Sequence, residues 1–305
     1  GDIVQIGKIY SERDHELSQQ QLGYVKMVGH VRVASRRSLF SAPTLRALLT
    51  DGSIVDSNPY LLFAVVETTD PRTRTRRLYP ANLENVFSGQ VDYRLHDQDV
   101  VLIFSAADVE YLKSADVQRV LARKNEDGGE LPCQGLRGLE TAVILGSPGK
   151  YLGATLYLDE LLNDSKKKLG NVTQLDLELL KLERRRTALE ERQVKLAERD
   201  EISAVNDADP LKAKLLEKAF ASRDKISCPE LFEEYPKALP FLLDHTVMVQ
   251  GEVRAPGIYP ITGGTALASI VSVAEGLTRE ANLSQVELTR YNNDRVSGNS
   301  RIDRQ

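Results

Sequence analysis

An excess of positive charge is the first thing this sequence lacks. Its 40 Lys and Arg stand against 44 Asp and Glu, a net charge of -4, whereas neutralising a nucleic-acid backbone requires the opposite balance. Long apolar runs are also missing. No stretch approaches the roughly 20 consecutive apolar residues that cross a bilayer, and no charged-then-apolar segment at the start has the make-up of a signal peptide. The opening Gly1 and the polar end at Gln305 suggest a piece trimmed from a longer protein, so the missing signals say nothing about its compartment. Only two cysteines occur, Cys133 and Cys228, without CxxC spacing, which argues against zinc. Two readings stand for them: buried free thiols, or one disulfide clamping a long excursion in an oxidising compartment. The histidines His15, His30, His96 and His245 form no HxxxH or HxH pattern. No metal and no cofactor is expected.

What is present is an ordinary folding composition, 41% hydrophobic and 28% charged, in a length that suits two or three domains. The chain also repeats itself. Val25, Gly29, Val31 and Arg32 recur at identical spacing as Val247, Gly251, Val253 and Arg254, and the match runs on to Leu39 against Ile261 and Leu45 against Leu267. A small insertion then brings Gly52 opposite Gly276.

Each copy reads as strand, hairpin turn, strand, helix, strand. In the second copy the turn is Arg254-Ala-Pro-Gly257, where Pro256 fixes φ and Gly257 supplies the positive φ of a tight turn; Gly251, Pro256 and Gly257 are the structural turn residues. The helix starts at Thr265 and stops at Gly276. The strand Val286–Arg290 follows, and a closing strand is missing, which leaves an edge open to pairing. In the first copy Ala34-Ser-Arg-Arg37 is the turn, Thr44-Leu-Arg-Ala-Leu-Leu the helix and Leu61–Val66 the next strand. After a charged loop at Arg72–Arg77 come a helical turn at Leu83–Val86 and a closing strand at Leu95–Phe104. The segment Asp2–Ile6 has the make-up of a further strand.

Between the copies the pattern is helical. Val109–Leu112 and Val117–Leu121 form a first helix, and Gly135–Leu145 spaces its apolar residues at three and four. Leu175, Leu182, Leu189 and Leu196 fall one heptad apart, with Leu179, Arg186 and Gln193 as companions, the pattern of a coiled-coil-like helix. Asn206–Pro210 breaks it, and Leu211–Phe220 returns antiparallel.

The expected fold class is α+β: two β-grasp modules separated by a largely helical insert with a coiled-coil-like hairpin. Residues 1–23 form an N-terminal strand and linker from a preceding module. Module 1 covers 24–105 and the insert 106–244, with its hairpin at about 172–222; module 2 covers 245–305 and is C-terminally truncated. Asp97 and Asp99 alternate as a carboxylate pair would, but read as a turn into the closing strand. No catalytic residue is expected, and the chain is not read as an enzyme.

The string Val249-Gln-Gly-Glu-Val-Arg-Ala-Pro-Gly-Ile-Tyr-Pro260, followed by Gly276-Leu-Thr-Arg-Glu-Ala-Asn-Leu-Ser-Gln-Val-Glu-Leu288, resembles the SLBB (soluble-ligand-binding β-grasp) module of the Wza-like outer-membrane polysaccharide export family. The first copy is a degraded match, with Ala34-Ser-Arg-Arg37 in place of Pro-Gly. The resemblance implies a periplasmic section of an outer-membrane-associated capsule or exopolysaccharide export protein. It shifts Cys133 and Cys228 towards a disulfide. The implied partners are the exported polysaccharide, an inner-membrane polysaccharide copolymerase and further copies in a ring, the piece alone being monomeric; nucleic acid is not among them. The alternative is a carbohydrate-binding module that recognises the polymer without forming the conduit. In either case Glu252, Arg254, Gly257 and Tyr259 are the candidate ligand-binding residues.

Overall fold

A computed structural model describes residues 23–50, 54–70, 72–122, 131–145, 150–169, 226–282, 286–287, 289–293 and 300–304. The Asp2–Ile6 strand and the 172–222 hairpin lie outside the described residues. The chain divides into two compact units, Gly1–Tyr157 with Lys225–Gln305, and Leu158–Asp224. The described residues of the second, 158–169, are helical.

The first unit is built on a five-stranded mixed sheet. Its strands are β1 (Tyr24–Gly29), β2 (Ser35–Ser38), β3 (Pro59–Thr69), β4 (Arg76–Ala81) and β5 (Val100–Ser105), in the order β2-β1-β5-β3-β4. β1 and β5 run parallel at the centre; the other pairs are antiparallel. Helices α1 (Leu45–Leu49) and α2 (Leu83–Phe87) belong to the same segment, and Thr44 and Asn82 cap them by accepting from the Ala47 and Asn85 amides.

Alternation explains the first face. Val25 and Met27 of β1, Ala64 and Val66 of β3, and Val101 and Ile103 of β5 turn towards α1 and α2 and bury with Leu45, Leu48, Leu49, Leu83 and Val86. The opposite face carries Phe63 and Phe104, ring centroids 6.5 Å apart, and the helical insert covers it. Helix α3 (Ala106–Tyr111) supplies Tyr111, α7 (Glu230–Glu234) supplies Phe232, and α8 (Ala238–Asp244) supplies Phe241. Phe232 lies 6.4 Å from Phe104 and 5.7 Å from Tyr111, and Phe241 lies 6.1 Å from Phe63. A sheet covered on both faces buries Leu62, Phe63, Ala64, Val65 and Val66 in one unbroken run. Helices α3, α7 and α8 of the insert are therefore the second half of this sheet's cover. Between α3 and α7 come α4 (Ala115–Leu121), α5 (Gln134–Leu145) and α6 (Leu152–Leu169). The expected first helix is thus two, divided where the Ser114 hydroxyl accepts from the Val117 amide and caps α4. Cys133, just before α5, and Cys228, just before α7, are joined as a disulfide with Cα atoms 6.3 Å apart.

The second copy contains β6 (Thr246–Val249), β7 (Gly257–Pro260) and α9 (Leu267–Val273). β6 pairs with β7 as β1 pairs with β2, position for position: Tyr24↔Ser38 becomes Thr246↔Pro260, and Met27↔Ser35 becomes Val249↔Gly257. A final antiparallel pair follows, β8 (Thr289–Asn293) with β9 (Ser300–Arg304).

Several local expectations are corrected. Ser35, Arg36 and Arg37 lie in β2 rather than in a turn. Arg76 and Arg77 lie in β4, where each meets an acidic partner across the hairpin: Glu67 at 3.1 Å and Asp70 at 3.3 Å. The closing strand starts at Val100, because Leu95–Asp99 makes a turn with Gln98 at φ 65°. The second helix is capped by Ala266 without a side-chain bond, and the Thr265 hydroxyl donates instead to the Thr262 carbonyl. The strand expected at Val286–Arg290 begins at Thr289, and the polar end beyond it supplies β9. Among the described residues no strand of the second copy corresponds to β5. No described helix is long and apolar enough to cross a membrane.

Candidate functional site

The feature both copies share is a tip. In the first, Gly29 turns the chain at φ 88°, Val31 donates back to Gly29 at 2.7 Å and bridges Val55, and Arg32 donates to Ile54 at 3.0 Å. In the second, Gly251 has φ 89°, Val253 donates to Gly251 at 2.8 Å and bridges Leu277, and Arg254 donates to Gly276 at 2.9 Å. Asp56 to His30 and Thr278 to Glu252 complete the correspondence. The offset from Val31 to Val253 is also the offset from Val55 to Leu277, so no insertion is needed and Ile54, not Gly52, stands opposite Gly276.

The second tip is wider than a tight hairpin, since β6 ends at Val249 and β7 starts at Gly257. Its left-handed residue is Gly251, which only glycine adopts without cost. Gly257 also has a positive φ, 158°, a value that residues with side chains rarely adopt, and a Cβ there would stand 2.8 Å from Lys113 Cδ, so the lysine side chain would have to shift. Pro256 is exposed.

The candidate ligand residues divide into two groups. Glu252 and Arg254 are exposed on the tip, and the Glu252 carboxylate accepts from the Thr278 hydroxyl. Gly257 and Tyr259 are buried, with the Tyr259 hydroxyl donating to the Ala255 carbonyl. The four residues therefore do not converge on one surface.

The buried pair sits in a seam that the sequence does not announce. Lys113 lies over the Tyr259 ring at 5.2 Å and forms an ion pair with Glu110. Tyr60 donates to the Pro260 carbonyl at 2.9 Å, and the Asn82 amide donates to the Thr265 hydroxyl at 3.2 Å. Burial pushes Tyr259 up to about 12, with the charge of Glu110 adding to the shift. Burial also raises Tyr60, with Tyr259 beside it as the second cause. Tyr60 in β3, Asn82 at the cap of α2 and Lys113 just after α3 thus hold the second copy against the first, each paired far along the chain, where no local motif marks them.

The other chemistry-bearing residues have structural partners. Asp97 accepts from the Tyr24 amide at 2.9 Å, and the buried Asp99 accepts from the His96 amide at 2.7 Å. A depression of about 280 Å³ beside the disulfide is lined by Leu131, Pro132, Cys133, Gln134, Arg137 and Glu233. Within it the Gln134 amide donates to Glu233 at 2.8 Å, and the Arg137 amide donates to the Cys133 carbonyl at 3.3 Å. Among the described residues no group of three or more His, Cys, Asp or Glu side chains gathers as a metal site would.

Residues 245–302 match the family described as the SLBB domain, the segment that carries β6, β7, α9 and the second tip. The chain is therefore one that contains an SLBB domain, which suggests a protein of the polysaccharide export or binding type. No curated protein and no solved structure matches the chain.

Proposed function

We propose that this chain is a periplasmic section of a Wza-like polysaccharide export protein, a structural part of the capsule or exopolysaccharide secretion path and not an enzyme. The observation that carries this reading is the second tip within the SLBB match, reproduced bond for bond by the tip at Gly29–Arg32. The order β2-β1-β5-β3-β4 with a parallel central pair supports reading residues 24–105 as a complete β-grasp module. The Cys133–Cys228 pairing suits an oxidising compartment. In this reading the full-length protein forms a ring, meets an inner-membrane polysaccharide copolymerase and lets the polymer pass.

Removing the gene from the organism that encodes it tests the proposal. Surface polysaccharide should disappear while polymer or its lipid-linked precursor accumulates inside the cell; undiminished surface polymer would overturn it.

A second reading, a carbohydrate-binding module outside the conduit, is favoured by the exposure of Glu252 and Arg254. Calorimetry of the chain against the cognate polymer separates the two, because specific saturable binding together with normal export in the deletion strain supports only the second.

A further inference from the structure

The β3–β4 hairpin concentrates four arginines, Arg72, Arg74, Arg76 and Arg77, against two carboxylates. Arg76 pairs with Glu67 and Arg77 with Asp70. Arg72 and Arg74 are exposed at the loop, and among the described residues no carboxylate pairs with either. Hydrogen bonds tie the described residues of the loop together. Asp70 Oδ1 accepts from the Arg72 and Thr73 amides at 2.8 and 3.1 Å, Arg74 donates to the Asp70 carbonyl at 2.8 Å, and Asp70 donates to the Thr75 carbonyl at 2.9 Å.

Arg74 closes the loop at φ 54°, a left-handed position where hairpins of this kind ordinarily place glycine or asparagine. An arginine there carries a backbone strain that glycine would not, and residues held in such conformations cluster at binding sites. Keeping an edge strand soluble needs charge, but charge does not require an arginine at the strained position.

We propose that this hairpin tip binds an acidic glycan, with the planar guanidiniums of Arg72 and Arg74 each taking a uronate-type carboxylate. The proposal rests on the reading of the chain as a polysaccharide export protein and adds the charge class of the polymer. Two guanidiniums suit widely spaced single charges along a sugar chain. A nucleic acid, with its much denser phosphates, matches neither this tip nor a chain of net charge -4.

The test is a titration of the whole chain with polygalacturonate, dextran and single-stranded DNA at several salt concentrations, repeated with R72Q/R74Q and with R74G. The unsubstituted chain should bind polygalacturonate, more weakly as salt rises, and should not bind dextran. R72Q/R74Q should bind about tenfold more weakly, through loss of two charge-assisted contacts, with an unchanged melting temperature. R74G should melt higher and bind about threefold more weakly, since it relieves the strain and removes one contact. Undiminished binding by R72Q/R74Q, equal binding to dextran, tighter binding to DNA, or no binding to polygalacturonate would each overturn the proposal. None of these results touches the export reading, which the deletion strain tests separately.

Discussion

Gly29 and Gly251 hold the same left-handed backbone at the same step of two tips, φ 88° and 89°, but in different surroundings. A Cβ on Gly29 would stand 2.2 Å from the Ile103 carbonyl oxygen, whereas a Cβ on Gly251 would meet nothing within 4 Å. Gly251→Ala should therefore cost only the conformational penalty, about 1–2 kcal/mol. Gly29→Ala must also push β1 away from β5 and should cost at least about 3 kcal/mol, as other severe core disruptions do. Urea unfolding of the two variants measures the difference; equal costs would show that the tips are not held as described.

The second expectation concerns the seam. Tyr60→Phe removes the donor to Pro260 and leaves a buried carbonyl unpaired, a loss of about 1–3 kcal/mol. Amide exchange should quicken along Gly257–Tyr259 before it changes in β3. Unchanged exchange in β7 would mean that this bond does not hold the second copy in place.

How much of this was legible in the sequence follows the range of the interactions. The tips were visible as a repeat because a left-handed glycine, a bridging valine and an arginine are all set within a few residues. The tight turn at Arg254–Gly257 was not correct, because the Val253 bridge to Leu277 opens the connection into a loop. Arg76 and Arg77, which open β4, fall in the charged loop Arg72–Arg77 on sequence because they face solvent on an edge strand, and their partners Glu67 and Asp70 emerge only when the hairpin is folded. Lys113, Tyr60 and Asn82 had no local signal at all. Cys133 and Cys228 remained open from spacing alone.

Alkaline pH should weaken the fold through its buried tyrosines. Tyr60, Tyr111 and Tyr259 are all raised by burial above the ordinary 10.0, so between about pH 10 and the folded-state value the unfolded chain has lost protons that the folded chain keeps. Stability is therefore fully present below pH 10 and is lost as pH rises towards and through 12, the value for Tyr259. Denaturant midpoints measured across this range, with tyrosinate absorbance as the titration signal, should fall less steeply in Tyr259→Phe. A flat profile would contradict the burial of these hydroxyls.

The disulfide should stabilise chiefly through the unfolded chain. It closes a loop of sequence separation 95, for which chain-entropy arguments and measured bridges give about 2–5 kcal/mol. Non-reducing peptide mapping should recover Cys133 and Cys228 joined, and reductant or C133S/C228S should lower the unfolding midpoint accordingly. Free thiols in protein folded under oxidising conditions would refute the pairing.

The helical insert and the five-stranded sheet should unfold as one. Phe232 belongs to α7, yet its fully buried ring packs on Phe104 of β5 and Tyr111 of α3. An insert that merely interrupted the modules would lose its own helices on Phe232→Ala and leave the sheet intact. A layer that covers the sheet instead transmits the loss, about 3–5 kcal/mol for a buried phenylalanine, to β1, β3 and β5. Amide exchange of Val65, Val101 and Leu102 is the decisive measurement. Protection at these positions should fall by the same free energy as protection in α7 and α8, because removing Phe232 opens the second face against which Phe63 and Phe104 are packed. Unchanged protection in the strands would return the insert to the status of an independent domain.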